Sequence, residues 1–319
     1  MVSPTVHSTR LNRPIVIVGA GAVGTSLAVL LTHAGHEVVV IVRRPDVAER
    51  GATLSELPRG REVAVQNLDL RDLSGVPPRP HAVFVCARGD QVRSALAALA
   101  GKVDPACPLV VPGVTFDDLD ELARQCGLPS PPMVRLAVGF GVWKQGPGRY
   151  ELFSLSPFGS ALAPESSAPR ALCRDLARIL SGAGLPTRAV PPALFHASLR
   201  LFNGLQLPFL LAWGRAGWDL RRLRGDRALL SICAAGMWEV SRAVRARTGP
   251  LGWVVSFLPR WGFALLARAA TRLAGTRLSE LFVHHGPKLA AQLRFNAAQL
   301  GDIARGRGVD DRALRALAE

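Results

Sequence analysis

Lysine is nearly absent from this sequence. Of 39 lysines and arginines only Lys102, Lys144 and Lys288 are lysine, so arginine carries almost all of the formal +15 charge. A guanidinium is a permanent cation that grips carboxylates and phosphates as a fork. The five cysteines, Cys86, Cys107, Cys126, Cys173 and Cys233, are scattered with no CxxC pair. That spacing argues against a disulfide framework or a thiolate metal site and fits a reducing, cytoplasmic setting. There is no HExxH, no Ser-His-Asp order and no P-loop, so those three chemistries have no motif to rest on. No internal repeat is present.

A membrane-spanning run is also missing. Residues 251–273 are unusually apolar, but Pro259, Arg260, Arg268 and Arg272 interrupt them, which excludes stable membrane insertion. The segment reads as the lining of a core, a dimer face or an apolar pocket, with an interfacial amphipathic helix as the other reading. Residues 1–13 are polar and lead directly into the first strand, unlike a signal peptide. The arginines are spread along the chain without an aromatic-rich RNA motif. The charge therefore reads as a field that draws in an anionic cofactor or small-molecule substrate, with no nucleic-acid partner.

What is present begins at Pro14-Ile-Val-Ile-Val-Gly-Ala-Gly-Ala-Val-Gly24. A short buried strand runs into Gly19-Ala20-Gly21-Ala22-Val23-Gly24, then a helical pattern that stops at Ala34-Gly35, then the apolar run Val38–Val42. In such a unit the first glycine permits the tight turn. The second lets backbone N–H groups approach a pyrophosphate, and the third allows close helix–strand packing. The helix N-terminus adds partial positive charge under the phosphates. An NAD-binding unit usually ends its second strand in an acid, which accepts a ribose hydroxyl. Here Arg43 and Arg44 hold that place. A guanidinium there suits a 2′-phosphate, so the cofactor expected is NADP(H).

Strand and helix patterns alternate through the first half. Apolar runs at His81–Cys86, Leu109–Val111 and Met133–Val142 read as strands, with a loop-rich stretch around Pro58–Pro80 that holds candidate short strands near Val63–Val65. Helices are expected at Val92–Leu99, Asp117–Gln125 and Ala168–Gly182, before a strand at Leu185–Val190. Beyond Pro191-Pro192 the pattern is helical: Ala193–Trp213, Asp226–Arg247, Trp261–Leu273 and Pro287–Gly306. The fold class is α/β, an N-terminal Rossmann-type, parallel, doubly wound sheet over residues 1–190 with an all-helical C-terminal domain over residues 191–319. The helical domain reads as the substrate and dimerisation part, and its apolar segment suggests a homodimer.

With these elements in place the chain resembles the ketopantoate reductase (2-dehydropantoate 2-reductase) family over most of its length. The resemblance rests on the Gly19–Gly24 turn, Gly35-His36-Glu-Val, Arg43, and Gln91 three residues after Arg88. Further matches are Met237-Trp-Glu239-Val and Arg307-Gly308-Val309. It implies an NADPH-dependent reductase of 2-keto acids whose active site lies in a cleft between the two domains, with Arg88 and Gln91 against the cofactor. The family's first C-terminal helix carries Lys-x-x-x-Asn-x-x-x-Asn-Pro on one face. This chain reads Leu199, Asn203, Leu207 and Pro208 at those places. The family's Asn-Gly after the fourth strand is Pro112-Gly113 here, and its glutamate near the last helix aligns with Gln292.

Leucine can neither donate a proton nor stabilise a developing alkoxide. The pocket residues Pro112, Leu199, Leu207 and Gln292 therefore suggest a more apolar substrate than ketopantoate. Candidates to orient or protonate it are Asn203, His196 one turn before Leu199, and Lys288 beside the loop pair His284-His285. Arg200 points about 100° away from Leu199 on a helix. Glu239 reads either as a structural acid or as a proton partner. The expected function is NADP(H)-dependent hydride transfer to or from a C=O, C=N or activated C=C carbon, in a specialised biosynthetic setting. The competing reading is a catalytically inactive NADP-binding scaffold or redox-sensing module.

Overall fold

The structure, a computed structural model, describes residues 12–319 apart from 58–59, 114–115, 155–158, 246–247 and 274–275, and gives no side-chain environment for 249–251, 273, 276–281, 284, 285 and 288. The chain divides into two compact units. One holds the residues up to Gly113 together with Asp117–Pro192, and the other holds Ala193–Glu319 with Phe116.

The first unit runs β1 (Ile15–Val18), α1 (Ala22–His33), β2 (Val38–Ile41), β3 (Ala52–Leu57), β4 (Arg61–Val65), β5 (Asp69–Arg71), β6 (Ala82–Val85), α2 (Val92–Leu99), β7 (Leu109–Pro112) and α3 (Leu119–Gln125). It continues with β8 (Met133–Ala137), β9 (Phe140–Gly146), β10 (Arg149–Ser154), β11 (Ser160–Pro164), α4 (Arg170–Gly182) and β12 (Thr187–Ala189). Eight strands form one sheet in the order β12-β11-β8-β7-β6-β1-β2-β5. β1, β2 and β6 are runs of Val, Ile, Phe and Ala, as strands covered on both faces must be. Period-two alternation then sorts them. Ile15, Ile17, Val38 and Val40 join one core layer with α1 and α4, while Val16, Val39, Val83 and Val85 join another with α2 and α3. This is the doubly wound, Rossmann-type arrangement.

Three expectations are corrected. The sheet is not wholly parallel, because β11 pairs antiparallel with β8 and carries β12 with it. The run Met133–Val142 is two strands, not one. It breaks at Gly139, where a Cβ would lie 2.2 Å from the Gly159 carbonyl oxygen and the N–H donates to Ser160 Oγ at 2.9 Å. β9 then leaves the main sheet for a second, four-stranded one, ordered β4-β3-β10-β9. The loop-rich stretch holds β4, which contains the candidate strand at Val63–Val65, and also the unforeseen β5, which extends the main sheet beside β2.

The helical unit consists of α5 (Pro192–Arg215), α6 (Leu220–Gly225), α7 (Arg227–Val244), α8 (Gly249–Ser256), α9 (Arg260–Leu273), α10 (Thr276–Arg305) and α11 (Arg312–Ala318). Small residues let α5 and α7 approach closely. A Cβ at Gly204 would lie 2.9 Å from Val240 Cγ1, and one at Gly236 would lie 3.2 Å from Pro208 Cβ. Trp213 fills the centre, with the rings of Trp218 and Phe282 at 5.9 and 4.6 Å. α10 begins at Thr276 rather than at Pro287, and so it contains His284 and His285, which are not in a loop. Gly286 packs so closely on Trp218 that a Cβ would lie 2.1 Å from its ring. Packing of that kind carries a helix through a proline that local propensity would make its start.

A candidate dinucleotide site and the polar face of α5

The first site follows from the β1–α1 turn. A cavity of about 850 Å³ opens at the carboxyl ends of β1, β2 and β6, lined in part by Gly19, Ala20, Gly21, Arg43, Arg88 and Gln91. Ligands of open α/β sheets bind at that end of the strands. Each glycine has its own reason to be there. Gly19 has φ +103°, and a Cβ on it would lie 2.7 Å from the Cys86 carbonyl oxygen. At Gly24 a Cβ would lie 2.0 Å from the Gly19 carbonyl oxygen. At Gly21 a Cβ would meet nothing within 4 Å and would project into open space.

Gly21 is also the N-cap of α1, which has no side-chain cap and no acid in its first turn. A helix start left in that state offers unpaired N–H groups and positive partial charge to an anion. The residues present therefore fit a pyrophosphate. Ala22, Val23 and Gly24 form the first turn of α1 beside the cavity.

Arg43 follows β2 and is exposed on the cavity wall, whereas Arg44 is exposed outside the lining. Arg88 precedes a single 3₁₀ turn over Gly89–Gln91, and its Nη2 pairs with Asp90 at 3.0 Å. Cys86 also lines the cavity, and burial pushes its thiol up to about 12, so it acts as a small neutral group. Sequence reasoning missed Asp72, Leu73 and Ser74 on the same wall. They follow β5, which at three residues gives no period to read. The Asp72 carboxylate accepts from Ser74 Oγ at 2.5 Å, Ser74 N at 2.9 Å and Gly75 N at 3.3 Å. Those bonds, the Ser74 hydroxyl first, hold its pKa below the usual aspartate value. It is an acid occupied with its own turn.

The second set of residues stands on α5. Leu199, Asn203 and Leu207 recur at the i, i+4 and i+8 spacing of one helix face. Leu199 is 8% exposed, Asn203 is half-buried, and Leu207, at 2%, belongs to the apolar core of the helical unit. His196 is half-buried, with its ring edge-on to Phe195 at 5.7 Å. Arg200 is half-buried. Gln292 is half-buried on α10, and Lys288 lies on the same helix with its side chain outside the described residues. Pro112 ends β7 in the first unit and is buried.

Two further groups gain or lose a role. Asn296, one turn beyond Gln292, is buried and its Oδ1 has no partner among the described residues. Such an orphan is rare, and the i+4 spacing from Gln292 is the signal that could have found it. Glu239 is a structural acid. Its carboxylate accepts the N–H groups of Ala313 and Leu314 at 3.1 and 3.0 Å and caps α11, while burial pushes its pKa up.

A Rossmann-type unit with an open Gly-x-Gly-x-x-Gly cradle, joined to an all-helical unit, defines a class of two-part dinucleotide-fold proteins. Residues 15–158, somewhat under half of the chain, match the family model described as ketopantoate reductase PanE/ApbA. A curated relative, glycerol-3-phosphate dehydrogenase [NAD(P)+] of Bradyrhizobium sp. (strain ORS 278), is 37% identical over 98 residues. That match spans 30% of this chain and 30% of the relative. The structure of 2-dehydropantoate 2-reductase from Geobacter metallireducens GS-15 is similar over 96% of this chain and 97% of that one, with a TM-score of 0.71 and 14% identity. D-mandelate dehydrogenase in a ternary structure with NADH and anilino(oxo)acetate is similar over 96% of both chains, with a TM-score of 0.70 and 14% identity. At such identities the likeness is one of fold.

Proposed function

We propose that this protein is an NADP(H)-dependent oxidoreductase acting on a relatively apolar small molecule other than ketopantoate. The observation that carries the reading is the open position at Gly21 beneath an uncapped, acid-free helix start, with Arg43 on the same wall. Gly19, Ala20 and Gly21 would hold the pyrophosphate, Arg43 the 2′-phosphate, and Arg88 with Gln91 the adenosine side. When bound, the nicotinamide supplies or accepts a hydride. The chain itself must then steady charge on the substrate and move a proton. With Leu199 where the resembled family has lysine, we assign the substrate hydrogen bond to the Asn203 amide and the proton to His196. The mandelate dehydrogenase neighbour, solved with NADH, supports a nicotinamide in this fold and leaves the phosphorylated form to be argued from Arg43.

One observation favours the second reading, a binding module without chemistry: a buried leucine stands at the place of the proton donor. NADPH consumption against panels of keto acids, ketones and imines separates the two, with NADPH binding followed alongside. Turnover of an apolar carbonyl or imine supports the oxidoreductase. Turnover of ketopantoate at an ordinary rate refutes the inference from Leu199, and binding without turnover on any panel supports the module.

A further inference from the structure

The consecutive helices α8 and α9 present apolar side chains to solvent. Trp253, Val254, Phe257, Trp261 and Leu265 range from 49% to 70% exposed. Folding had a way to hide such residues, because on α9 Phe263 and Ala267 are fully buried on the opposite face. The exposed face is ordered. Trp261, Leu265, Arg268 and Arg272 fall at i, i+4, i+7 and i+11, one stripe that is apolar at the Phe257–Pro259 turn and cationic further along. Trp253 and Phe257 add an aromatic pair at the same turn, with ring centroids 5.7 Å apart. Arginines lie across the flanking rings. The Arg245 guanidinium is 4.5 Å from the Trp253 ring, and that of Arg260 is 4.5 Å from the Trp238 ring.

Charge selects the occupant. Between Val240 and Ser279 the chain has seven arginines and no Asp or Glu. Among the described residues, Arg242, Arg245, Arg260, Arg268 and Arg272 have no carboxylate in salt-bridge range. A two-fold interface would set this patch against itself, arginine facing arginine, on a chain already at +15. No helix among the described residues is long and apolar enough to cross a membrane. Aromatic and aliphatic side chains at a helical turn, rimmed by arginines, match the headgroup boundary of an anionic bilayer. We propose that the α8–α9 segment docks this protein peripherally on an anionic lipid surface, with Trp253, Phe257 and Trp261 entering the boundary and the arginines meeting the lipid phosphates. This rests on neither the cofactor nor the reaction assigned above.

The test is co-sedimentation of the full chain with phosphatidylcholine vesicles, with and without phosphatidylglycerol. The expected result is at least about tenfold more binding to the anionic vesicles, at about a fivefold factor per engaged arginine, and a decline with added salt. Phe257→Ser with Trp261→Ser should lower it about tenfold or more. Arg268→Glu with Arg272→Glu should lower it comparably, both pairs leaving thermal melting and NADPH binding unchanged. Equal binding to the two vesicle types overturns the proposal. So does an unimpaired Phe257→Ser/Trp261→Ser variant, which would mean that bulk charge alone is responsible. A dimer in solution that the same variant converts to monomer, without anionic vesicle binding in the wild type, assigns the face to a second copy instead.

Discussion

Gly24 sits directly beneath Gly19: a Cβ at position 24 would lie 2.0 Å from the carbonyl oxygen of residue 19. Gly21, between them, has nothing within 4 Å of the same position. The two sites therefore separate folding from binding. Gly24→Ala should destabilise the first unit by more than about 3 kcal/mol, because backbone must move to admit the methyl. Gly21→Ala keeps an ordinary φ of −70° and should change stability by less than about 1 kcal/mol. It should nevertheless weaken NADPH binding at least about tenfold by filling the phosphate approach. Thermal melts and a fluorescence titration on both variants check this, and equal stability losses would refute it.

In the proposed function Arg43 sets the cofactor preference. Arg43→Glu replaces a guanidinium on the cavity wall with a like charge to the 2′-phosphate. Loss of a charge-assisted bond of about 1.5–3 kcal/mol should weaken NADPH binding roughly 10- to 100-fold and leave NADH binding within about threefold. Titrations with both nucleotides decide it, since parallel losses would mean that Arg43 does not read the phosphate.

Much of this site was legible because it is local. The spacing of Gly19, Gly21 and Gly24 dictates a turn whatever lies elsewhere, and Arg43 follows from the end of β2. Asp72 and Ser74 were not legible, since β5 finds its place only by pairing with β2. The second sheet was hidden for the same reason: β3 pairs with β10, almost a hundred residues away in sequence. On α5, spacing gave the register of Leu199, Asn203 and Leu207, but not that Leu207 faces the helical core. A helix this apolar offers more than one candidate buried face, and packing against α7 chooses among them.

Arg135 and Glu165 form a buried ion pair, Nε to Oε1 at 2.8 Å, and Arg135 also donates to the Asp117 carbonyl at 2.8 Å. Arg135→Ala should cost about 3–5 kcal/mol by stranding the Glu165 carboxylate. Arg135→Met with Glu165→Leu should recover most of that loss, leaving about 1 kcal/mol for the unserved Asp117 carbonyl. Denaturant midpoints for the single and double variants measure the difference. A double variant no better than the single would show that packing, not the stranded charge, sets the cost.

His36 and His81 are held neutral. Burial is the first cause of the lowered pKa in each, and each has one ring nitrogen that is buried without a partner in the described structure. In the unfolded chain both titrate at the ordinary value of about 6.5, so between the folded and unfolded values the unfolded state binds more protons. Their contribution to stability is complete above about pH 6.5 and is lost as pH falls through the lowered values. The melting temperature should decline on acidification below about pH 6.5, and His36→Leu with His81→Leu should flatten that decline. An unchanged slope in the double variant would assign the acid sensitivity to carboxylates.

In the proposed function, Asn203 and His196 carry any chemistry that α5 does. A buried leucine at 199 leaves that face without a cation, so any stabilisation of substrate charge by α5 falls to the neighbours that can donate. On whichever panel substrate is turned over, Asn203→Ala should lower kcat by about 10²–10³, as loss of one such donor does, with the NADPH Kd unchanged. His196→Ala should lower it by about 10²–10⁴ and remove a limb of the pH–rate profile, because it would withdraw the proposed proton source. Unchanged turnover in His196→Ala would exclude it as that source. Loss of NADPH affinity in Asn203→Ala would make Asn203 a cofactor or folding residue instead.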